Sequence, residues 1–183
     1  LKEGGVNMIY IIMGPSGSGK TEVGEHLKSI GMKELVSHTT RAPRSGEKNG
    51  EAYHFVDEER FMQVDKVEES VYAGNRYGVS REEVTRKSSD GDVFAVTDIN
   101  GAMAFKRIYK EEVRIIYIDA SPGTLRKRMK ERGDSRETIR KRFQNYIRNE
   151  ETFNRFFANI VIDNSYSKRR LIRSIDYALK VIK

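Results

Sequence analysis

The stretch that most constrains the fold of this 183-residue chain is MIYIIMGPSGSGKT, residues 8–21. An apolar run from Met8 to Met13 passes directly into a glycine-rich loop and then into Lys20 and Thr21. Such a run reads as a strand buried on both faces, the habit of a parallel sheet with helices against it. Gly14, Gly19, Lys20 and Thr21 meet the spacing G-x-x-x-x-G-K-[ST], with a strand before and a helix after. Glycines let successive backbone N–H groups turn inward around a phosphate, and a helix N-terminus adds partial positive charge. On this reading Gly14, Ser16, Gly17, Ser18, Gly19, Lys20 and Thr21 hold the phosphates of a nucleoside triphosphate. Lys20 reaches the β- and γ-phosphates and is a catalytic group, while the Thr21 hydroxyl binds Mg²⁺.

Three more apolar runs end in polar residues: DVFAVTDI (92–99), VRIIYIDA (113–120) and NIVIDN (159–164). Residues 168–182 carry an apolar stripe of Leu171, Ile172, Ile175, Ala178, Leu179 and Ile182 at helical spacing. The segment 37–91 reads differently, in short alternating pieces such as AYHFV and VYAGNRYGV between turn signals at SGEKNG and SDGD. It reads as a small β-rich insertion in an α/β core. Residues 126–148 hold ten Lys/Arg against three Asp/Glu in a helical pattern broken at ERGDS. There Gly133 ends one helix and Ser135 caps the next, the layout of a lid over a hinge. The expected organisation is a single α/β domain over 8–183, with core segments at about 8–36, 92–125 and 151–183, the insertion at about 37–91 and the lid at about 126–150. Residues 1–7 read as a flexible leader.

A net charge of +7 implies anionic partners without choosing among nucleotides, nucleic acid and acidic membranes. The chain has no cysteine, which excludes disulfides and thiolate zinc sites and fits a reducing cytoplasm. No apolar run approaches the roughly 20 residues of a membrane span. No nucleic-acid motif supports a DNA- or RNA-dependent ATPase, and no N-K-x-D sequence supports a GTPase. Neither a nucleic acid nor a membrane is therefore expected as a partner.

A second phosphate site is suggested by SHTTRAPRSGEKNGEAYHF, residues 37–55. Arg41 and Arg44 lie three apart around Pro43, with Tyr53 after a turn. Two guanidinium forks and a phenol suit a phosphate monoester, although spacing alone leaves a solvated basic loop equally open.

With these residues the chain resembles the guanylate kinases. The resemblance runs through GPSGSGKT, S-x-TTRAPRSGE-x-NG-x-x-YHF, GNRYGVSREEV and LRKRMKERG…IRKR, essentially the whole chain from Met8. It implies a P-loop three-layer core with a parallel sheet, a GMP-binding insertion and a helical lid. It also implies Mg²⁺-dependent in-line transfer of the γ-phosphoryl group of ATP to GMP. Arg41, Arg44, Tyr53 and Tyr77 would take the monophosphate, and Ser37 and Glu68 would face guanine. Guanine offers N1–H beside an exocyclic amine, and a carboxylate accepts both. Glu68 also reads as the charged end of a helix, VEES. Arg132 and Arg142 would close onto the transferring group, with Arg128 beside them and Arg41 on the acceptor. Asp98 would help organise GMP and, indirectly, Mg²⁺. His26, His38 and His54 read as surface or packing residues, because an anionic acceptor phosphate needs no base.

Three positions depart from the family. Val79 stands where Ser or Thr usually follows Y-G, leaving Ser80 as the nearest hydroxyl in sequence. Asn100 replaces the second aspartate of D-I-D, and IVIDNS leaves adenine contacts near Asp163 and Asn164 unassigned. These departures leave the choice among GMP, dGMP and other monophosphates open. Two alternatives follow: a kinase with shifted monophosphate preference, or a catalytically weak module that binds a phosphorylated protein through Arg41, Arg44 and Tyr53. Sequence does not set the oligomeric state.

Overall fold

The computed structural model describes residues 7–72, 74–148 and 151–182. Most of the expected leader, and residues 149–150 of the expected lid, lie outside the described residues. In chain order the elements are β1 (Ile9–Met13), α1 (Lys20–Ser29), β2 (Lys33–Glu34), β3 (His38–Thr39), β4 (His54–Phe55), α2 (Glu58–Gln63), β5 (Ser70–Tyr72), β6 (Asn75–Gly78), α3 (Arg81–Ser88), β7 (Val93–Val96), α4 (Ile99–Tyr109), β8 (Val113–Asp119), α5 (Pro122–Glu131), α6 (Arg136–Arg148), β9 (Ile160–Asp163) and α7 (Lys168–Val181). A five-stranded sheet takes the order β2-β7-β1-β8-β9, and a four-stranded sheet takes the order β4-β3-β6-β5. Among the described residues no helix is long and apolar enough to cross a membrane. The chain divides into two compact units, one running to Ile9 and over Met32–Val113, the other over Tyr10–Gly31 and from Arg114 onward.

In the unit containing Met32–Val113, β2 and β7 pair in parallel, with Lys33 opposite Val93. In the smaller sheet β3 runs parallel to β4, and β6 runs antiparallel to both β3 and β5. Two helices there escaped the sequence reading, and each is held by a side-chain cap. Asp57 accepts from the Arg60 amide at the start of α2, and Ser80 accepts from the Glu83 amide at the start of α3. Ser80-x-x-Glu83 has the spacing of a capping box, a legible signal for α3. Glu83 is 3 % exposed and ties α3 to its surroundings. It accepts from the Val36 amide at 2.9 Å and from Lys87 and Arg86. Burial works against its charge, but these donors prevail and hold its pKa down to about 2. His38 and His54 stack with ring centroids 4.7 Å apart, consistent with packing residues.

In the other unit β8 and β9 pair in parallel, Ile116 opposite Ile160. Helix α7 buries Leu171, Ile175, Ala178 and Leu179, starts on the Ser167 cap and meets α1 through an Asp176–His26 contact of 2.7 Å. Helices α5 and α6 share a small core of Leu125, Met129 and Phe143, with Ala120 beneath them. Burying side chains of this size contributes roughly 1.5–3 kcal/mol each, so the two helices form a packed hairpin and not a loose arm.

Candidate functional site

The glycine loop grows directly from a rigid strand. Every β1 residue is at most 2 % exposed, so the chain leaves the sheet at a fixed point. Gly14, Gly17 and Gly19 then take φ values of +147°, +84° and +107°, which side-chain-bearing residues rarely adopt. Space enforces the same choice, since a Cβ on Gly14 would strike the Ile118 carbonyl and one on Gly19 would strike the Asn164 amide. Lys20 opens α1, and its Nζ donates to the carbonyls of Gly14 at 2.6 Å and Pro15 at 3.0 Å, folding back over the loop. Thr21, in the same first turn, lines a cavity of about 530 Å³ with Ser16, Gly17, Gly19 and Lys20. Ser18 lies fully buried behind the loop and does not line this cavity.

Asn164, unassigned by the sequence, has a definite place here. It is 4 % exposed, and its Nδ2 donates to the Ser18 carbonyl at 2.7 Å, pinning the far side of the loop. Arg128 and Arg132 line the same cavity. The turn between α5 and α6 fixes their surroundings. The Gly133 amide donates to Lys130 O and the Asp134 amide to Met129 O, both at 3.0 Å, which is a Schellman ending with glycine at its left-handed position. The Ser135 hydroxyl then accepts from the Thr138 amide at 3.1 Å and starts α6. This geometry sets Asp134 between the expected lid arginines. Its Oδ2 receives Arg132 Nη2 at 2.6 Å and Arg142 Nη1 at 3.0 Å. The hydrogen bond from Arg132, with the Arg142 charge nearby, holds the Asp134 carboxyl below its ordinary pKa.

The Met32–Val113 unit carries a different cavity of about 380 Å³. Ser37, Arg41, Arg44, Tyr53, Glu68, Tyr77 and Asp98, the residues that the resemblance assigns to GMP, all line it. Their placement follows from the small sheet. The buried Thr39 of β3 bonds the Arg76 carbonyl of β6 at 2.8 Å and accepts from the Arg41 amide at 3.2 Å, so Arg41 leaves the strand on a fixed path. Glu47 then holds the guanidinium, accepting from Arg41 Nη2 at 2.8 and 2.9 Å, and also receives the Arg44 amide at 2.7 Å. The Arg41 guanidinium carbon sits 5.2 Å from the Tyr53 ring centre, and the Tyr53 and Tyr77 rings lie 5.7 Å apart, edge to face. Guanidinium and phenol groups thus converge at one end of the cavity. Burial raises the Tyr53 pKa, so that phenol stays a donor at neutral pH.

Glu68 supplies the acceptor. The helical reading of VEES is incorrect, because residues 68 and 69 belong to no helix and directly precede β5. The Val79 amide donates to Glu68 Oε1 at 3.1 Å. Burial raises the Glu68 pKa to about 7, partly offset by that amide and reinforced by Asp98 and Glu69. Asp98 caps α4, accepting from the Gly101 amide at 3.0 Å, so it begins a helix where the sequence suggested a strand end. Asn100 does not line this cavity but a neighbouring groove, with Asp65, Ala104 and Arg107, that shares Glu68 with it. Ser80 is no substitute for the hydroxyl missing at Val79, because it is 4 % exposed, caps α3 and does not line the cavity. Sequence reasoning missed Glu47, Ser70 and Thr97 among the lining residues. Glu47 belongs to the quoted RSGE, where a carboxylate three residues beyond Arg44 was a usable signal.

Comparison with known proteins places the chain in a family. The family model described as guanylate kinase matches residues 7–171. The guanylate kinase of Shewanella violacea is 38 % identical over 142 residues, covering 72 % of this chain and 68 % of that protein. That of Shewanella denitrificans is 32 % identical over 182 residues, covering 94 % and 88 %. The crystal structure of guanylate kinase from Anaplasma phagocytophilum superposes with a TM-score of 0.67 at 27 % identity, covering 96 % of this chain and 85 % of that one.

Proposed function

The chain belongs to the guanylate kinase family, and from that premise we infer that it is an enzyme transferring the γ-phosphoryl group of ATP to GMP, giving ADP and GDP. The observation that carries the assignment of residues is the convergence of Arg41, Arg44, Tyr53 and Tyr77 with Glu68 in one cavity of monophosphate size. We propose that the guanidinium and phenol groups hold the GMP phosphate. Glu68, as a carboxylate, accepts from N1–H and the exocyclic amine of guanine. Adenine presents no such donor pair, so Glu68 is the source of base choice.

The ATP phosphates are proposed to lie on Gly14–Thr21, with the Lys20 ammonium turned from the loop carbonyls onto the β- and γ-oxygens. Thr21 fits a Mg²⁺ ligand, because its hydroxyl shares the cavity with Lys20. Among the described residues no cluster of three acidic, His or Cys side chains could hold a metal unaided, which suits a cation carried mainly by the nucleotide. Thr21 and the nucleotide would hold the Mg²⁺, which would supply positive charge to the phosphates. Asp98 is assigned an indirect part, orienting GMP near the reacting phosphate. The chain itself orients two phosphates and supplies positive charge. Arg132 and Arg142 exchange Asp134 for the equatorial oxygens as charge spreads over them, stabilisation realised during transfer. The acceptor oxygen is already anionic, so no proton has to be removed. The setting is proposed to be the cytoplasm. Nothing in either cavity favours the phosphoprotein-binding alternative.

Purified protein with ATP and Mg²⁺ and each nucleoside monophosphate in turn, read by coupled ADP release, tests the proposal. GMP should give the highest kcat/KM, with GDP and ADP formed in equal amounts. ADP release indifferent to the monophosphate supplied would overturn it.

A further inference from the structure

The hairpin of β5 and β6 sets four side chains in a square on the cavity wall. Ser70 is the register partner of Tyr77, and just before β5 the Glu68 carboxylate accepts from the Val79 amide just after β6. Directly opposite residues of an antiparallel pair share a face, so Ser70 and Tyr77 stand side by side, with Glu68 and Val79 flanking the hairpin. All four line the cavity. The square has direction. Glu68 lies toward the base end, and the Tyr77 ring lies beside Tyr53 toward the guanidinium end. Ser70 follows Glu68 by two residues and lies directly opposite Tyr77, so it links the carboxylate to the tyrosine pair along the wall. In a nucleoside monophosphate the group between base edge and phosphate is the sugar. Ser70 is short where Tyr77 is long, leaving room above it, and among the described residues its hydroxyl has no hydrogen-bond partner.

We propose that the Ser70 hydroxyl hydrogen-bonds a ribose hydroxyl of the bound monophosphate and so favours ribonucleotide over deoxyribonucleotide. The inference rests on the placement of a guanine nucleotide in this cavity. Within that placement it assigns the sugar preference that Val79 and Asn100 leave open. The side chain acts on binding and takes no part in transfer.

Steady-state KM for GMP and for dGMP is measured on the wild-type protein, Ser70→Ala and Ser70→Thr. One neutral hydrogen bond corresponds to roughly a 3- to 10-fold change in binding. The ratio of KM for dGMP to KM for GMP should therefore fall roughly 3- to 10-fold in Ser70→Ala, mainly through a higher KM for GMP, and Ser70→Thr should keep the wild-type ratio. An unchanged ratio in Ser70→Ala, whether both KM values rise together or neither moves, overturns the sugar assignment. Turnover of neither nucleotide by the wild-type protein would instead overturn the kinase reading, so the two failures are distinct.

Discussion

Gly17 and Gly19 shape their cavity by having no side chain, whereas Arg41, Tyr53, Glu68 and Tyr77 shape theirs only through side chains. Both regions are suited to a phosphate, yet they differ in how much choice they leave. The glycine loop is fixed by backbone conformation and by close approach of Ile118 and Asn164, so it offers any nucleotide the same N–H and ammonium geometry. The arginine–tyrosine cavity depends on partners such as Glu47 and Thr39, and its polar wall can be changed one residue at a time. Holding a common triphosphate suits the first design. Selecting one monophosphate suits the second.

The largest expected break in this contrast comes from the lysine that the backbone loop positions. Lys20→Ala should lower turnover by about 10³-fold or more, because the charge stabilises oxygens in the transition state. Its far-ultraviolet circular dichroism and melting temperature should stay near wild type. Near-normal turnover in a fully metal-loaded assay would show that the loop is not the catalytic cradle. Gly14→Ala tests the backbone side alone. The new Cβ meets the Ile118 carbonyl in a left-handed conformation, which should cost about 2–4 kcal/mol in chemical denaturation. A loss under 0.5 kcal/mol would mean the loop tolerates a side chain after all.

The side-chain cavity should be more sensitive to pH. Glu68 titrates near 7 in the free protein, and only its ionised form accepts both guanine donors. KM for GMP should therefore rise about 10-fold from pH 8 to pH 6, and Glu68→Gln should flatten that dependence while weakening GMP binding at every pH. The stability sign runs the other way. The native state holds this proton more tightly than the unfolded chain does, so Glu68 costs stability as pH rises from the unfolded value near 4.5 through 7. Glu68→Gln should make the nucleotide-free protein more stable at pH 8 by about 1–3 kcal/mol, and no gain would place the carboxyl in a wetter site than described. Asp134→Asn carries the smallest effect. Exposed ion pairs contribute little, so loosening Arg132 and Arg142 should reduce kcat by about 3-fold with melting temperature nearly constant. A drop beyond 30-fold would give Asp134 a direct part in transfer.

The same contrast explains what could be read from the sequence. The phosphate loop was legible because its geometry demands glycines and Lys20 at fixed spacing, and β1 because a doubly buried strand is apolar throughout. The turn at Gly133 and Ser135 was legible for the same local reason. Arg41, Arg44, Tyr53 and Tyr77 were grouped through family resemblance, since spacing alone could not separate a phosphate site from a solvated basic loop, and all four line one cavity. Glu47, Asn164 and Asp134 were not read, because their importance lies in the partners that tertiary structure brings to them: an arginine, a loop carbonyl and a pair of lid guanidiniums. Helices α2 and α3 were missed because they are short and their apolar pattern is weak, leaving only the caps Asp57 and Ser80 as signals. Val79 shows the reverse difficulty. Its missing hydroxyl was visible at once, but only the fold shows that Ser80 is buried as the α3 cap while Ser70 lines the cavity.

The most direct test is a calorimetric titration of each nucleotide against two variants, Lys20→Ala and Arg41→Ala. Two separate cradles predict a double dissociation: Lys20→Ala should weaken ATP at least 10-fold and GMP by less than 3-fold, and Arg41→Ala should do the opposite. Loss of GMP binding in Lys20→Ala together with loss of ATP binding in Arg41→Ala, both variants remaining folded, would contradict the division of labour between backbone loop and side-chain cavity.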